Sequence, residues 1–178
     1  TGPIDGARRH VTLGLTMNLK RPGVENAYLL ADARHYLRLA QRSALALRLQ
    51  GRFSDGPDPQ VFLLGGSHSL RGYSWRALHG SRTVLANAEL RFPLLRTFVL
   101  VPAGVGALSF PGIQGAVFFD AARAWDEDRS GHWYGSYGLG FRMGLGGMLV
   151  LRLDLARRTD FEDWPSTRHT DFFIGWNY

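Results

Sequence analysis

Cysteine is absent from this 178-residue chain, and lysine occurs once, at Lys20. The lack of thiols excludes a disulfide-stapled scaffold and any thiolate metal centre. No apolar run approaches the roughly 18 residues that a membrane-crossing helix needs. The longest, 98–110 (FVLVPAGVGALSF), is short and carries a proline and two glycines. The opening residues TGPID lack the basic-then-apolar order of a secretion signal, so a mature or excised piece is expected. The six histidines (His10, His35, His68, His79, His132 and His169) are scattered, with no HExxH and no metal-ligand spacing. The GxSxG elbow is missing around Ser67. The glycines of 138–144 depart from the dinucleotide spacing and sit in a strand pattern. No metal, no cofactor and no catalytic residue are expected.

Arginine and glycine are what the chain has in plenty. Lys and Arg number 21 against 15 acidic residues, for a net charge of +6, and glycine is 22 of 178. Aromatics at 12 % exclude an intrinsically disordered chain, and glycine without a third-residue period excludes a collagen-like one. The arginines fall on alternate strand positions and on loops rather than in one patch. That spread argues against a nucleic-acid partner.

Strict alternation is the dominant pattern, and it recurs eight times. Val11, Leu13, Leu15, Met17 and Leu19 alternate with polar residues. So do Leu45, Leu47, Leu49 and Phe53, with Arg48, Gln50 and Arg52 between them. Similar rows run through 29–39, 84–92, 117–122, 137–145, 149–155 and 171–178. Period two places an apolar face opposite a polar one. A soluble sandwich or lipocalin-like barrel would produce the same alternation. Two features favour a membrane barrel instead. The polar rows mix Arg, Asp, Glu and Gly, as a wet, ion-paired interior does, and the runs are about 10–12 residues long, as tilted membrane strands are.

The fold class expected is all-β: an antiparallel transmembrane β-barrel with eight strands in this chain, read as one domain over 1–178. Short connections at 40–42 and Gly146-Gly147 alternate with long ones at 55–81, 125–133 and 156–168, the asymmetry of an outer-membrane barrel. With a periplasmic C-terminus the long loops are external. Residues 21–25 are short for an external connection, and 94–113 long and apolar for a periplasmic one. Trp125, Trp133 and Trp164 suit an external aromatic belt, and Trp176 and Tyr178 a periplasmic one.

One constellation is specific. The long loop reads FLLGGSHSLRGY over 62–73, a later strand carries NAELRFP over 87–93, the next carries FFDAARAW over 118–125, and the chain ends FFIGWNY. In this order the elements resemble the C-terminal half of the barrel in the BamA/TamA-type surface-antigen family, outer-membrane insertases and translocators. Glu89 and Asp120 lie on polar rows and face the interior. Arg71 sits among Gly65, Gly66 and Gly72, which permit sharp turns, and its fork can bridge two carboxylates. The resemblance implies a loop folded into the lumen and docked by Arg71, Gly72 and Tyr73 on Asp120, with Glu89 nearby. On the residues alone, Glu89 and Asp120 could instead pair with interior arginines such as Arg91, Arg142 and Arg152.

The family's FxDxG has Ala122 in its last position here, and the other half of the usual sixteen strands and the soluble modules are missing from the sequence. Eight closed strands have an interior that side chains just fill, so a docked loop of this length requires a wider barrel. Phe172, Ile174, Gly175, Trp176 and Tyr178 resemble the family's terminal assembly signal and seam, with Gly175 weakening the strand. The mechanism implied is templating of an incoming strand at an open edge. Expected partners are outer-membrane lipids, unfolded outer-membrane client proteins, the missing barrel strands and accessory assembly subunits. The expected location is the outer membrane of a Gram-negative-type bacterium. A structural or anchoring barrel carrying a fused upstream domain, and an enzyme fused to the barrel, are the alternatives.

Overall fold

A computed structural model describes residues 3–18, 22–100, 108–110, 112–128, 130–145, 149–164 and 167–176. Among the described residues twelve strands form three antiparallel sheets. The main sheet contains β1 (Gly6–Met17), β2 (Val24–Ala40), β3 (Ser43–Asp55), β6 (Arg82–Leu95), β9 (Ile113–Trp125), β10 (Trp133–Leu145), β11 (Leu149–Thr159) and β12 (Arg168–Trp176). They lie in that spatial order. The remaining strands form two short hairpins, β4 (Phe62–Leu64) with β5 (Leu78–Gly80), and β7 (Phe98–Leu100) with β8 (Leu108–Phe110). The sheet is not closed: among the described residues β1 and β12 each keep an unpaired edge.

Alternation sorts the two faces as expected of a membrane barrel. Leu13 is 77 % exposed and Leu49 59 % on the outward rows, and Phe172 and Ile174 are exposed as well. The alternate residues Gln50, Thr83, Glu89, Asp120, Ser136 and Asp154 are buried. A soluble sandwich would bury the leucines and expose the charges. Here apolar area faces outward over strand after strand, an arrangement that water penalises and lipid tails favour. The fold is therefore part of a transmembrane β-barrel.

The segment 94–113, read from the sequence as a loop, contains the β7–β8 hairpin. The long loop also holds a hairpin, β4–β5. The strands outrun their alternating rows. β2 starts five residues before Leu29, and β11 continues to Thr159, leaving 160–167 to connect to β12. The Gly146-Gly147 turn lies outside the described residues.

At the loop end of the outer face, aromatic side chains gather. Phe161 stacks edge-on against Phe119 at 6.1 Å and Trp164, and Trp164 lies 5.5 Å from Tyr137. Trp125 stands edge-on to Phe53, and Arg123 lies over the rings of Trp125 and Trp133. Rings with polar edges suit the membrane–water boundary. Phe161 adopts a φ of 70°, held by the hydrogen bond its N–H donates to Thr159 Oγ1.

Candidate functional site: a loop held on the inner face

Residues 65–73 lie against the inner face of the sheet. Two cross-strand rows form their bed. In one, Arg48, Asn87, Asp120 and Ser136 stand side by side on β3, β6, β9 and β10. In the next, Glu89, Phe118, Gly138, Ala156 and His169 follow across β6, β9, β10, β11 and β12. The small residues at Gly138 and Ala156 open the trough that the loop occupies. Gly72 has a φ of 78°, and a Cβ there would come within 2.7 Å of the Ala156 Cβ. Any larger residue at Gly72 is thus excluded by both backbone conformation and space.

Arg71 is the centre of the contact, with only 4 % of its surface exposed. Its Nε donates to Asp120 Oδ2 at 2.7 Å and its Nη2 to Asp120 Oδ1 at 2.6 Å. Its Nη1 donates to Glu89 Oε2, and its backbone N–H to Asp120 Oδ2 at 3.2 Å. The guanidinium lies 3.7 Å over the Phe118 ring. Three kinds of contact converge on one planar cation, an arrangement lysine cannot reproduce. Burial by itself lowers the Arg71 pKa, but Asp120 and Glu89 more than reverse this and raise it above its ordinary value.

The two carboxylates are not equivalent. Asp120, fully buried, takes its only cationic contact among the described residues from Arg71, supplemented by Asn87 Nδ2 at 2.8 Å and Ser136 Oγ at 3.4 Å. Glu89 serves Arg71, Arg91 and Arg142 together. Arg152 pairs elsewhere, with Asp154 at 2.7 Å. The loop-docked arrangement and the pairing with interior arginines therefore coexist at Glu89, whereas among the described residues the arginine on Asp120 comes from the loop alone.

Further contacts run along the loop from β3 to β12. Arg48 Nη1 donates to His68 O at 3.0 Å, and Asn87 Nδ2 to Ser69 O at 2.8 Å. Gly72 N donates to Asp171 Oδ2 at 2.9 Å, and Arg158 Nε to Gly72 O at 2.6 Å. The Tyr73 hydroxyl reaches Gly135 O and Thr159 O at 3.2 and 3.3 Å. Phe118, Asn87, Gly138, Arg158 and Asp171 thus belong to the site but escaped the sequence reading. For Gly138 and Asp171 the available signal was only their place on polar rows; register supplied the rest.

Ala122 sits in an apolar cluster with Leu64, Leu70 and Leu85, all at most 2 % exposed. The methyl that stands where the family has glycine fills space against the loop residue Leu70. Replacing Ala122 by glycine removes that methyl and adds strand flexibility. About 1–2 kcal/mol of docking stability should be lost, measurable by hydrogen exchange over 65–73. Unchanged protection would show that the methyl is idle.

His68 carries a pH dependence. Its ring stands edge-on to Phe173 at 4.8 Å. Burial, then the positive charges of Arg152 and Arg48, hold its pKa below the ordinary 6.5, with Asp154 opposing and Arg142 adding to the effect. The docked state thus prefers neutral histidine. As pH falls below about 6.5, the undocked loop takes up a proton that the docked loop resists, and docking weakens. Protease nicking of the loop should increase between pH 7 and 5, and His68→Phe should flatten that dependence.

At the terminal strand, Phe172 and Ile174 point outward, 64 % and 57 % exposed. Gly175 pairs with Val150 on β11, and the Phe173 ring covers it, within 2.2 Å of where a Cβ would stand. Trp176 pairs with Leu149. The Trp176 side chain and Tyr178 lie outside the described residues. Among the described residues no group of three His, Cys, Asp or Glu side chains could hold a metal.

An antiparallel sheet with an apolar outer face, a charged inner face and a long loop docked inside defines part of an outer-membrane barrel. The chain belongs to the Omp85 superfamily, whose domain model matches residues 5–178. It is similar to the protein TOC75, chloroplastic, of Oryza sativa subsp. japonica, at 39 % identity over 100 residues. That match covers 53 % of this chain and 11 % of the relative, so the chain spans a small part of that protein's length. Omp85 proteins are integral to outer membranes and serve insertion or translocation of proteins.

Proposed function

We propose that this chain is the seam-bearing portion of an insertase or translocator. The unpaired edge of β12 presents backbone hydrogen-bonding groups to an incoming client strand. The observation that supports this reading is the grip of the docked loop on β12, the last strand in the sheet order, through Gly72 and Asp171. An open edge templates another strand. The docked loop holds the last strands in position: Arg71 anchors it to β6 and β9, and Arg158 and Asp171 hold Gly72 from β11 and β12. In this reading the full protein has sixteen strands, lies in a bacterial outer membrane and accepts unfolded outer-membrane proteins.

This chain has no cysteine, so once any cysteines in the rest of the protein are replaced, a single one placed in β12 is a clean reporter. In the full protein, Thr170→Cys, Phe172→Cys or Ile174→Cys should form disulfides with a client terminal strand at matching alternate positions. A client that never cross-links to β12 while assembly proceeds would overturn the templating mechanism. It would favour a barrel that anchors a fused domain.

A further inference from the structure

A second feature of the inner face lies beside the loop anchor. A cavity of about 400 Å³ opens between the loop tip and strands β2, β3, β6, β10, β11 and β12. Arg34, Arg48, Arg91, Arg142 and Arg152 line it. Their pairings do not balance. Asp32 is shared by Arg34 and Arg48, Glu89 by Arg71, Arg91 and Arg142, while Asp120 meets Arg71 and Asp154 meets Arg152. Six arginines thus share four carboxylates, leaving two positive charges uncompensated within this network.

Register sets two of these arginines side by side. Arg142 on β10 and Arg152 on β11 stand directly opposite one another, a like-charge pair that destabilises a sheet unless something lies between. Arg142 reaches to Glu89 on β6, and Arg152 pairs along its own strand with Asp154. Arg142 Nε is buried and makes no hydrogen bond. A buried guanidinium donor without an acceptor is costly. Ser67, His68 and Ser69 of the loop line the same space and add polar groups.

We propose that this cavity binds a phosphate group between Arg142 and Arg152, with Arg91 and the loop serines at its margin. One surplus charge belongs to Arg34 and Arg48 on Asp32 and the other to Arg71, Arg91 and Arg142 on Glu89 and Asp120; both groups line the cavity, and a phosphate dianion carries two charges to match them where a carboxylate carries one. The several oxygens of phosphate also suit forks arriving from different strands. The phosphate belongs either to a lipid headgroup entering past the open β12 edge or to a soluble phosphomonoester in the aqueous interior. The site does not depend on strand templating.

The test uses the full-length protein in phosphate-free detergent. Titration calorimetry with inorganic phosphate should show saturable binding, at least tenfold weaker in Arg142→Gln and in Arg152→Gln. Arg157→Gln, on the outer face, should bind as the parent does. Native mass spectrometry of protein extracted from membranes separates the sources. A phospholipid retained by the parent and lost from both variants identifies a headgroup. Phosphate binding without retained lipid identifies a soluble ligand. If a glutamine variant does not fold, Arg142→Lys and Arg152→Lys keep the charge, lose the fork and should still weaken binding. The proposal is overturned if neither phosphate nor lipid binds, or if binding is equal in the parent and these variants.

Discussion

Replacing Arg71 by alanine should free residues 65–73 from the inner face while the eight-stranded sheet persists. Hydrogen exchange in that segment should rise by two orders of magnitude or more. The reason is asymmetric burial. Asp120 has 0 % exposure and would be left with only Asn87 and Ser136 as partners. Removing one member of a buried ion pair costs about 3–5 kcal/mol, since the other charge stays desolvated. The strand ladder on either side does not involve Arg71, so heat-modifiable mobility should still report a folded barrel. Arg71→Lys should recover only part of the protection, because an ammonium cannot span Asp120 and Glu89 in one plane. Glu89→Gln should cost less than Asp120→Asn, because Asp120 accepts from three Arg71 groups and Glu89 from one. Protection unchanged in Arg71→Ala would remove the anchor from the proposed mechanism. In the full protein, client assembly should fall together with loop protection.

Gly138→Ala should have a comparable effect by a different route. A Cβ at Gly138 would stand 2.0 Å from Leu155 O on β11 and 2.9 Å from the Phe118 ring. The first neighbour is backbone and cannot rotate away, so β10 and β11 must part locally. The second supports the Arg71 guanidinium, so displacing it disturbs the anchor as well. Overpacking of this kind costs about 1–3 kcal/mol, and occasionally more. Thermal unfolding should move to lower temperature and loop exchange should rise together. By contrast, Gly144→Ala, on the same face of β10, meets nothing within 4 Å among the described residues and should leave both readouts unchanged. Equal behaviour of the two variants would mean that the trough under the loop is not constrained by side-chain volume.

Much of this was legible in the one-dimensional pattern, and the reasons differ from residue to residue. The outward rows of β3 and β6 were visible because a pleated strand turns successive side chains to opposite faces. Arg71 stood out because glycines flank it within an otherwise specific string. Other members of the site were hidden. Nothing in the order of residues shows that Gly138 lies beside Phe118, or that Asp171, 99 positions later, meets the N–H of Gly72. The β4–β5 and β7–β8 hairpins were missed because three-residue strands give alternation too short to separate from a loop. The sequence also left two partner sets open for Glu89, and in the folded protein it uses both.

What the order of residues determined by itself is local: which side of each strand is oily, where the turns fall, and which glycines permit a sharp loop. These follow from the two-residue period and from the absence of a Cβ, which need no knowledge of neighbours. Only the tertiary structure decided register, and register decided the rest. It laid the loop across six neighbouring strands and set Arg142 against Arg152. Such pairings join residues far apart along the chain, and hydrogen bonding between strands chooses them together.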